Sequence, residues 1–293
     1  MPWTTSDKVM QIREKNHVID VLVETLDGWR LHLSGRNASL LSFFAFLSIF
    51  PLLLAATTIL GFVLEGNPEL RDDLIEGALS EIPVLGEDLK NDPEAISGSW
   101  LVLIIGLGGA LWSSTKAFVG LQGALDDIWE VHVDDRAKMP QQRGRALLGI
   151  AILGGAQIGN VVIANIVREA DLPVVGGIAL IAGTVVVNIV TIGAMYRFLT
   201  SANPTWADVL PGAVIAGIVF SLLQHFGTAI VTRITENAGD TYGQFALVLG
   251  IVTWLGLVAI TTLMCAELNA AIVRLRGGPT LPDRPEYQLS VTG

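Results

Sequence analysis

Cysteine is almost absent from the chain, and its single copy, Cys265, lies within a long apolar run. One thiol cannot form an intrachain disulfide, so a disulfide framework is excluded as the source of stability. Charged residues are also scarce at 16%, whereas hydrophobic residues make up 51% and the mean hydropathy is +0.56. This composition excludes an ordinary soluble domain and indicates a membrane protein.

The motifs of soluble enzymes are missing as well. The sequence contains no phosphate-binding P-loop, no zinc-hydrolase motif and no nucleophile elbow, and its four histidines are scattered. Because the formal net charge is −10 and no basic patch is interleaved with aromatic residues, nucleic acid is not a predicted partner. We therefore predict a protein that is not an enzyme and uses neither a cofactor nor a metal.

Long apolar runs are what the sequence does contain. About 20 apolar residues in a helix span the roughly 30 Å hydrocarbon core of a bilayer. Inside lipid the backbone must pair its own polar groups, which favours α-helices. Six such stretches predict an all-α, polytopic membrane bundle with six transmembrane helices: Ala38–Leu64, Trp100–Val119, Ala146–Val167, Val174–Phe198, Val209–Val231 and Phe245–Val273.

The positive charges indicate how this bundle is oriented. If the N-terminus is in the cytoplasm, all but four of the 18 Lys and Arg residues fall on the cytoplasmic side. The four exceptions are Arg71, Lys90, Arg168 and Arg233. Cytoplasmic connections of membrane proteins are enriched in Lys and Arg, so both termini are predicted in the cytoplasm.

This topology divides the chain into three parts. Residues 1–37 form a cytoplasmic N-terminal segment with an amphipathic helix, residues 38–273 the six-span membrane domain, and residues 274–293 a cytoplasmic tail. The membrane domain includes an acidic extracytoplasmic segment, 65–99, and a cytoplasmic helical loop, 120–145. The helix of the first part carries an apolar stripe and either lies at the membrane interface or docks on the bundle. Its members are Ile19, Leu22, Leu26, Trp29 and Leu33.

Pro51 lies in the middle of the first apolar stretch. Proline lacks a backbone donor and clashes with the carbonyl group one turn back, so a kink near Ile49 and Phe50 is expected. A kink of this kind can act as a hinge in a transporter. The alternative is that it only fits the helix to its neighbours.

Two ionisable residues lie near the cytoplasmic ends of predicted spans. Lys116 ends the second stretch and Glu267 lies near the end of the sixth, so the two parallel helices place them at similar depth. A charge within a span is costly, which leads us to predict a Lys116–Glu267 ion pair. In the alternative, Lys116 extends to the interface while Glu267 forms local hydrogen bonds.

Neutral polar residues are concentrated at or beyond the membrane midplane. We predict that they line a polar cavity opening outward; the alternative is that they form hydrogen bonds between helices. The candidates are Gln157, Asn160, Asn165, Asn188, Gln224, His225, Tyr242 and Gln244.

The order of several short segments resembles the YihY/BrkB family of bacterial inner-membrane proteins. The likeness covers roughly residues 30–275. The segments are Ser42-Phe43-Phe44-Ala45-Phe46-Leu47-Ser48-Ile49-Phe50-Pro51, Leu111-Trp112-Ser113-Ser114-Thr115-Lys116, Leu210-Pro211-Gly212-Ala213 and Ala266-Glu267-Leu268-Asn269. The chain departs from the usual pattern at Asp126, where Asn is commoner, and at Trp129, where Tyr is common. The resemblance implies a six-span helical bundle in the bacterial plasma membrane.

Two classes of function follow from these observations. The first is a transporter or flippase-like protein that moves a lipid, another amphiphile or a small solute along the first span and the polar cavity. The second is a non-transporting scaffold of the cell envelope that organises lipids or partner proteins. Family members were once mislabelled as ribonuclease BN, but the residues offer no support for membrane-embedded hydrolysis. Membrane lipids are the predicted partners in both classes.

Overall fold

The computed structural model describes residues 11–13, 15–64, 100–169, 173–242 and 245–277. Within these residues the fold is all-helical, as predicted. Seven α-helices follow one another: α1 His17–Leu31, α2 Ser34–Leu64, α3 Trp100–Ile128, α4 Met139–Glu169, α5 Pro173–Phe198, α6 Trp206–Tyr242 and α7 Phe245–Leu275. A single 3₁₀ turn, Val133–Asp135, separates α3 from α4 in this part of the chain. The acidic segment 65–99 and residues 278–293 of the tail lie outside the described residues.

Several helices are long and apolar enough to cross a membrane. In the described ranges there are four such windows: Ile104–Ile128, Ala179–Phe198, Trp206–Gln224 and Val248–Leu275. If α1 and the Ser34–Pro51 part of α2 form one bent span, there are five. All six predicted apolar stretches are helical. The second stretch continues as α3 to Ile128, which accounts for the first part of the predicted helical loop.

The chain divides into two compact units, one formed by Phe44–Lys116 and the other by Met1–Phe43 with Ala117–Gly293. In the larger unit α6 packs against both α5 and α7, α4 packs on α5, and α1 packs on α7. The core of this unit is apolar. Its largest fully buried side chains include Leu125, Ile128, Tyr196, Leu199 and Leu263.

Glycines allow close helix contacts in the larger unit. A Cβ atom at Gly217 of α6 would stand 2.8 Å from the backbone nitrogen of Ile189 in α5. A Cβ atom at Gly212 would meet the carbonyl oxygen of Cys265 in α7. In a membrane, where helices associate by close packing, such small residues bring backbones together.

In the smaller unit, α2 is helical through Pro51. Close by, the Ser48 hydroxyl donates hydrogen bonds to the carbonyl oxygens of Ala45, at 2.7 Å, and Phe44, at 3.2 Å. A Cβ atom at Gly109 would stand 3.2 Å from Cβ of Pro51, so α3 passes close to α2 at the proline. The hinge at Pro51 stays a prediction.

The amphipathic N-terminal helix is α1, and it docks on α7 with its less apolar face. Asn16 caps it, because the Asn16 side chain accepts hydrogen bonds from the backbone N–H groups of Val18 and Ile19. Leu22 and Leu26 of the predicted stripe are exposed, at 53% and 43%. The buried residues of α1 are Val21, Val23, Glu24, Thr25 and Gly28.

A sharp bend follows α1. The axes of α1 and of the Ser34–Pro51 part of α2 differ by 64° at a break that contains His32 and Leu33. Leu33 adopts a φ of +53°, in the left-handed region that favours glycine. This conformation turns the chain so that the residues on either side of the break face α7.

Candidate functional site

A carboxylate without solvent contact marks the candidate site. Glu267 of α7 is 0% exposed, and a buried carboxylate needs partners because leaving water is costly for a charge. Ser34 donates a hydrogen bond of 2.6 Å to Glu267 Oε1. Nδ1 of His32 lies 2.9 Å from the same oxygen and 3.1 Å from Oε2. Both partners come from the bend between α1 and α2.

Arg274 extends this arrangement toward two further acids. Its Nη1 donates to Glu130 Oε1 at 3.1 Å, and its Nε lies 3.3 Å from Glu24 Oε1. Its Nη2 is 4.0 Å from Glu267 Oε2. We call the resulting group the Glu267 cluster: Glu24, His32, Ser34, Glu130, Glu267 and Arg274. Its charges join α1, the end of α3 and α7.

Gly28 makes room for the Glu267 cluster. A Cβ atom at this position of α1 would stand 2.5 Å from Glu267 Oε2 and 3.0 Å from Arg274 Nη2. Cβ atoms essentially never approach other atoms so closely. A side chain at this position would therefore displace the Glu267 carboxylate or move α1 away from α7.

Glu130 reaches the cluster from an unusual backbone conformation. It follows the end of α3 with a φ of +53°, a position that glycine usually occupies at a helix C-terminus. The N–H of Val131 bonds to the carbonyl oxygen of Asp126 at 2.8 Å, and that of Glu130 to the oxygen of Asp127 at 3.0 Å. This pair of bonds is the Schellman closure, and it brings the Glu130 carboxylate to 3.2 Å from Nε2 of His32.

His32 lies between two carboxylates, in the break between α1 and α2. Burial of the ring favours the neutral form, but hydrogen bonds and charge attraction from Glu130 and Glu267 outweigh burial and raise the pKa of His32 to about 9. Near pH 7 the imidazole is therefore charged and both ring nitrogens donate hydrogen bonds. In this state the ring is a cation that links α3 to α7.

A second buried carboxylate holds the turn between α5 and α6. Asp126 Oδ1 accepts hydrogen bonds from the Thr200 hydroxyl at 2.8 Å and the Ser201 N–H at 2.6 Å, and Oδ2 accepts one from the Ser201 hydroxyl at 3.2 Å. The Ser201 oxygen itself accepts from the Ala137 N–H and from Arg145 Nη1. Because this oxygen already accepts two bonds, its proton needs an acceptor, which the second oxygen of Asp126 provides.

A third polar contact joins α7 to α6 near Pro211. The side chain of Asn269, which is 0% exposed, accepts a 2.6 Å hydrogen bond from the N–H of Gly212. The same carboxamide donates a 3.0 Å bond to the carbonyl oxygen of Val209. Proline disturbs helical hydrogen bonding locally, and the Asn269 carboxamide provides bonds for the backbone on both sides of it.

The sequence profile of the family described as "Virulence factor BrkB" matches residues 28–288. The chain belongs to the BrkB family. It is 23% identical to the inner membrane protein YhjD of Escherichia coli (strain K12) over 97% of this chain and 88% of that protein. It is 25% identical to an uncharacterized protein of Dickeya dadantii (strain 3937) over 82% of this chain and 79% of that protein. No solved structure matches the chain.

Two of the short segments that resemble BrkB proteins contact each other in the structure. The Leu210-Pro211-Gly212-Ala213 segment meets the Ala266-Glu267-Leu268-Asn269 segment through Asn269. Both oxygens of Asp126 accept hydrogen bonds in the turn between α5 and α6, whereas an asparagine at this position would offer only one acceptor oxygen. Trp129 packs against the apolar core.

The predicted polar cavity of this BrkB protein is described only in part. Asn188 of α5 and Gln224 of α6 do meet: Asn188 Nδ2 donates to Gln224 Oε1 at 2.9 Å and to the Ser221 hydroxyl at 2.8 Å. Gln157 is exposed, and Asn160 has a buried Oδ1 without a hydrogen-bond partner among the described residues. The side chains of Asn165, His225, Tyr242 and Gln244 lie outside the described part.

The two predicted ionisable residues are placed as follows. Lys116 is exposed, with Nζ 5.3 Å from the centre of the Trp112 ring. Glu267 has the partners of the Glu267 cluster, and the predicted Lys116–Glu267 pair stays a prediction. Sequence reasoning singled out Glu267 because a charge lies in an apolar run, but it missed His32, which is 235 residues away in sequence. No local spacing signals such a contact.

Proposed function

We propose that the protein is a transporter or flippase-like protein of the bacterial inner membrane that moves a lipid, another amphiphile or a small solute. In this proposal six helices, α2 to α7, cross the membrane and both termini lie in the cytoplasm. The uneven distribution of Lys and Arg supports this orientation. The E. coli relative YhjD is an inner membrane protein, which supports the proposed location.

Contacts between segments that are distant in sequence support their location on one side of the membrane. His32 of the N-terminal segment, Glu130 of the 120–145 loop and Arg274 at the start of the tail meet in the Glu267 cluster. Asp126 of the same loop bonds to Ser201 in the turn between α5 and α6. The charge pattern assigns each of these four segments to the cytoplasm, so their contacts fit one common side.

The Glu267 cluster is the observation that carries the proposal. It joins α1 to the proposed cytoplasmic ends of α3 and α7 through charges, with Glu267 fully buried among them. When the helices separate, water can hydrate each charge of the cluster. Because this hydration offsets the lost attraction, the free energy needed to open the ion pairs is smaller than their short distances suggest. A reversible closure of this kind is what alternating access requires on one side of a transport path.

Polar groups deeper in the bundle supply the path itself. Asn188 lies ten residues before the end of α5, about 15 Å along the helix axis. It bonds to Gln224 across the α5–α6 interface, and both carboxamides can exchange that bond for one to a polar substrate group. In the proposal these residues bind the substrate between the Glu267 cluster and the outer side.

A scaffold of the cell envelope is the second candidate. The observation that favours it is the mutual hydrogen bonding of Asn188, Ser221 and Gln224, which is also what a fixed contact between helices provides. Neither candidate requires a catalytic step, so we propose that the protein is not an enzyme.

Reconstitution of the full chain into liposomes tests the proposal. Lipid scrambling is followed with a fluorescent phospholipid, and solute flux with entrapped dyes and sugars of different charge. The parent is expected to catalyse at least one of these movements, and Gln224→Leu to slow it about tenfold or more, because a polar substrate loses its partner. Asp134→Asn, a change of an exposed acid in the Val133–Asp135 turn, is the matched control and should equal the parent.

Absence of any movement with correctly folded parent protein would contradict the transporter and favour the scaffold. Equal rates for the parent and Gln224→Leu would instead contradict the assigned path.

A further inference from the structure

At the end of a window that is long and apolar enough to cross a membrane lies an arginine with no carboxylate partner among the described residues. Arg197 is in the last turn of α5, and its guanidinium carbon is 5.7 Å from the centre of the Phe198 ring and 5.2 Å from that of Trp206. The two rings contact each other edge to face, with centres 5.9 Å apart. Cation–π attraction to two rings favours this position of the guanidinium group.

The hydrogen-bonding capacity of Arg197 is mostly unused. Nη1 donates a 3.3 Å bond to the carbonyl oxygen of Pro204, and no acid among the described residues pairs with the guanidinium group. Arg136 and Arg274, in contrast, pair with Asp127 and Glu130. A half-buried guanidinium ion has five N–H donors, so this one retains several donors and a positive charge for an external anion.

The position of Arg197 at the end of an apolar window indicates which kind of anion it can meet. The window Ala179–Phe198 ends at this residue pair and the window Trp206–Gln224 begins beside it. Phe198 and Trp206 are exposed, at 44% and 46%, as aromatic residues at the boundary between hydrocarbon and headgroups commonly are. Toward the middle of the membrane the surface is apolar, with Val190 57% and Leu210 52% exposed.

We propose that Arg197, held by Phe198 and Trp206, binds the phosphate of a phospholipid headgroup. The free N–H groups of the guanidinium donate to the phosphate oxygens in the paired geometry that arginine favours. The acyl chains of the same lipid pass along Val190 and Leu210. This site is separate from the Glu267 cluster and does not depend on the transport proposal.

Native mass spectrometry of the full-length protein in detergent, titrated with phosphatidylglycerol, tests the site. Arg197→Gln is expected to weaken binding about tenfold or more, and Arg197→Lys less, because lysine keeps the charge but loses the planar fork. Arg143→Gln, in an exposed residue near the start of α4, is the matched control and should change the affinity by less than about twofold. Melting temperatures of the variants in the same detergent verify that each is folded.

Two further ligands separate the lipid from simpler alternatives. Diacylglycerol, which lacks the phosphate, should bind the parent more weakly than phosphatidylglycerol does. Its affinity for Arg197→Gln should equal its affinity for the parent. Glycerol phosphate, which lacks the acyl chains, should not displace the lipid at comparable concentration. Equal losses in Arg197→Gln and Arg143→Gln would overturn the proposal as unspecific attraction, and displacement by glycerol phosphate would overturn the assignment to a lipid.

Discussion

At the scale of single residues, the charge of His32 has a consequence for stability. A histidine in an unfolded chain has a pKa near 6.5, whereas in the Glu267 cluster it is about 9. The resulting stabilisation, roughly 3 kcal/mol, is fully present below pH 6.5 and is lost as the pH rises to 9, because only the folded protein retains the proton in this interval.

We therefore expect the melting temperature of the parent in detergent to fall as the pH is raised from 6.5 to 9.5. His32→Gln should be less stable than the parent at pH 6.5 and should lack most of this fall. The exposed His132 provides the control, since His132→Gln should follow the parent. An unchanged pH profile in His32→Gln would show that the ring is not the titrating group.

The sequence reveals the buried acids of this protein but not their hydrogen-bond partners. Glu267 stands out in the sequence as an acid in an apolar run, whereas Asp126 follows the second apolar stretch, and both are buried in the structure. Their partners, among them His32, Thr200 and Ser201, are ordinary polar residues in sequence and come from distant positions. A contact over 75 or 235 residues is set by how the helices pack, and no spacing rule contains that information.

At the scale of elements, the length and type of each helix follow from local hydrophobicity, and for this reason the six predicted stretches are all helical. The orientation of α1 does not follow in the same way. Its apolar stripe suggested the packing face, but Leu22 and Leu26 are exposed and the Gly28 side lies on α7. Three leucines of the stripe, Leu22, Leu26 and Leu33, are exposed, whereas Trp29 packs against the core of the larger unit. Location of the exposed leucines at the membrane interface stays a prediction.

Gly28→Ala tests the docking of α1. The added methyl group overlaps Glu267 Oε2, so either the fully buried Glu267 carboxylate or α1 must shift, at a cost of about 1–3 kcal/mol in the free energy of unfolding. Gly144→Ala adds the same methyl group to α4 where nothing lies within 4 Å, and it should leave stability unchanged or raise it by up to about 1 kcal/mol. Denaturation in detergent compares the two variants. Equal effects would mean that α1 does not dock at Gly28 as described.

At the scale of the whole molecule, composition alone places the chain in a membrane, and the order of its short segments identifies the BrkB family. The distribution of Lys and Arg further predicts which segments share a side, and the contacts of His32, Glu130 and Arg274 agree with that grouping. Function is harder to reach, because a polar residue between helices has the same sequence signature whether it binds a substrate or a neighbouring helix. Asn188 and Gln224 illustrate this ambiguity.

In the proposed function, the Glu267 cluster closes one side of a transport path. Transport by the reconstituted parent and by His32→Gln, measured from pH 7 to pH 9.5 beside protein-free liposomes and Asp134→Asn, tests it most directly. The parent is expected to become faster as His32 loses its proton near pH 9, and His32→Gln to be fast already at pH 7 with little further change. Parallel pH profiles for the parent and His32→Gln would contradict it.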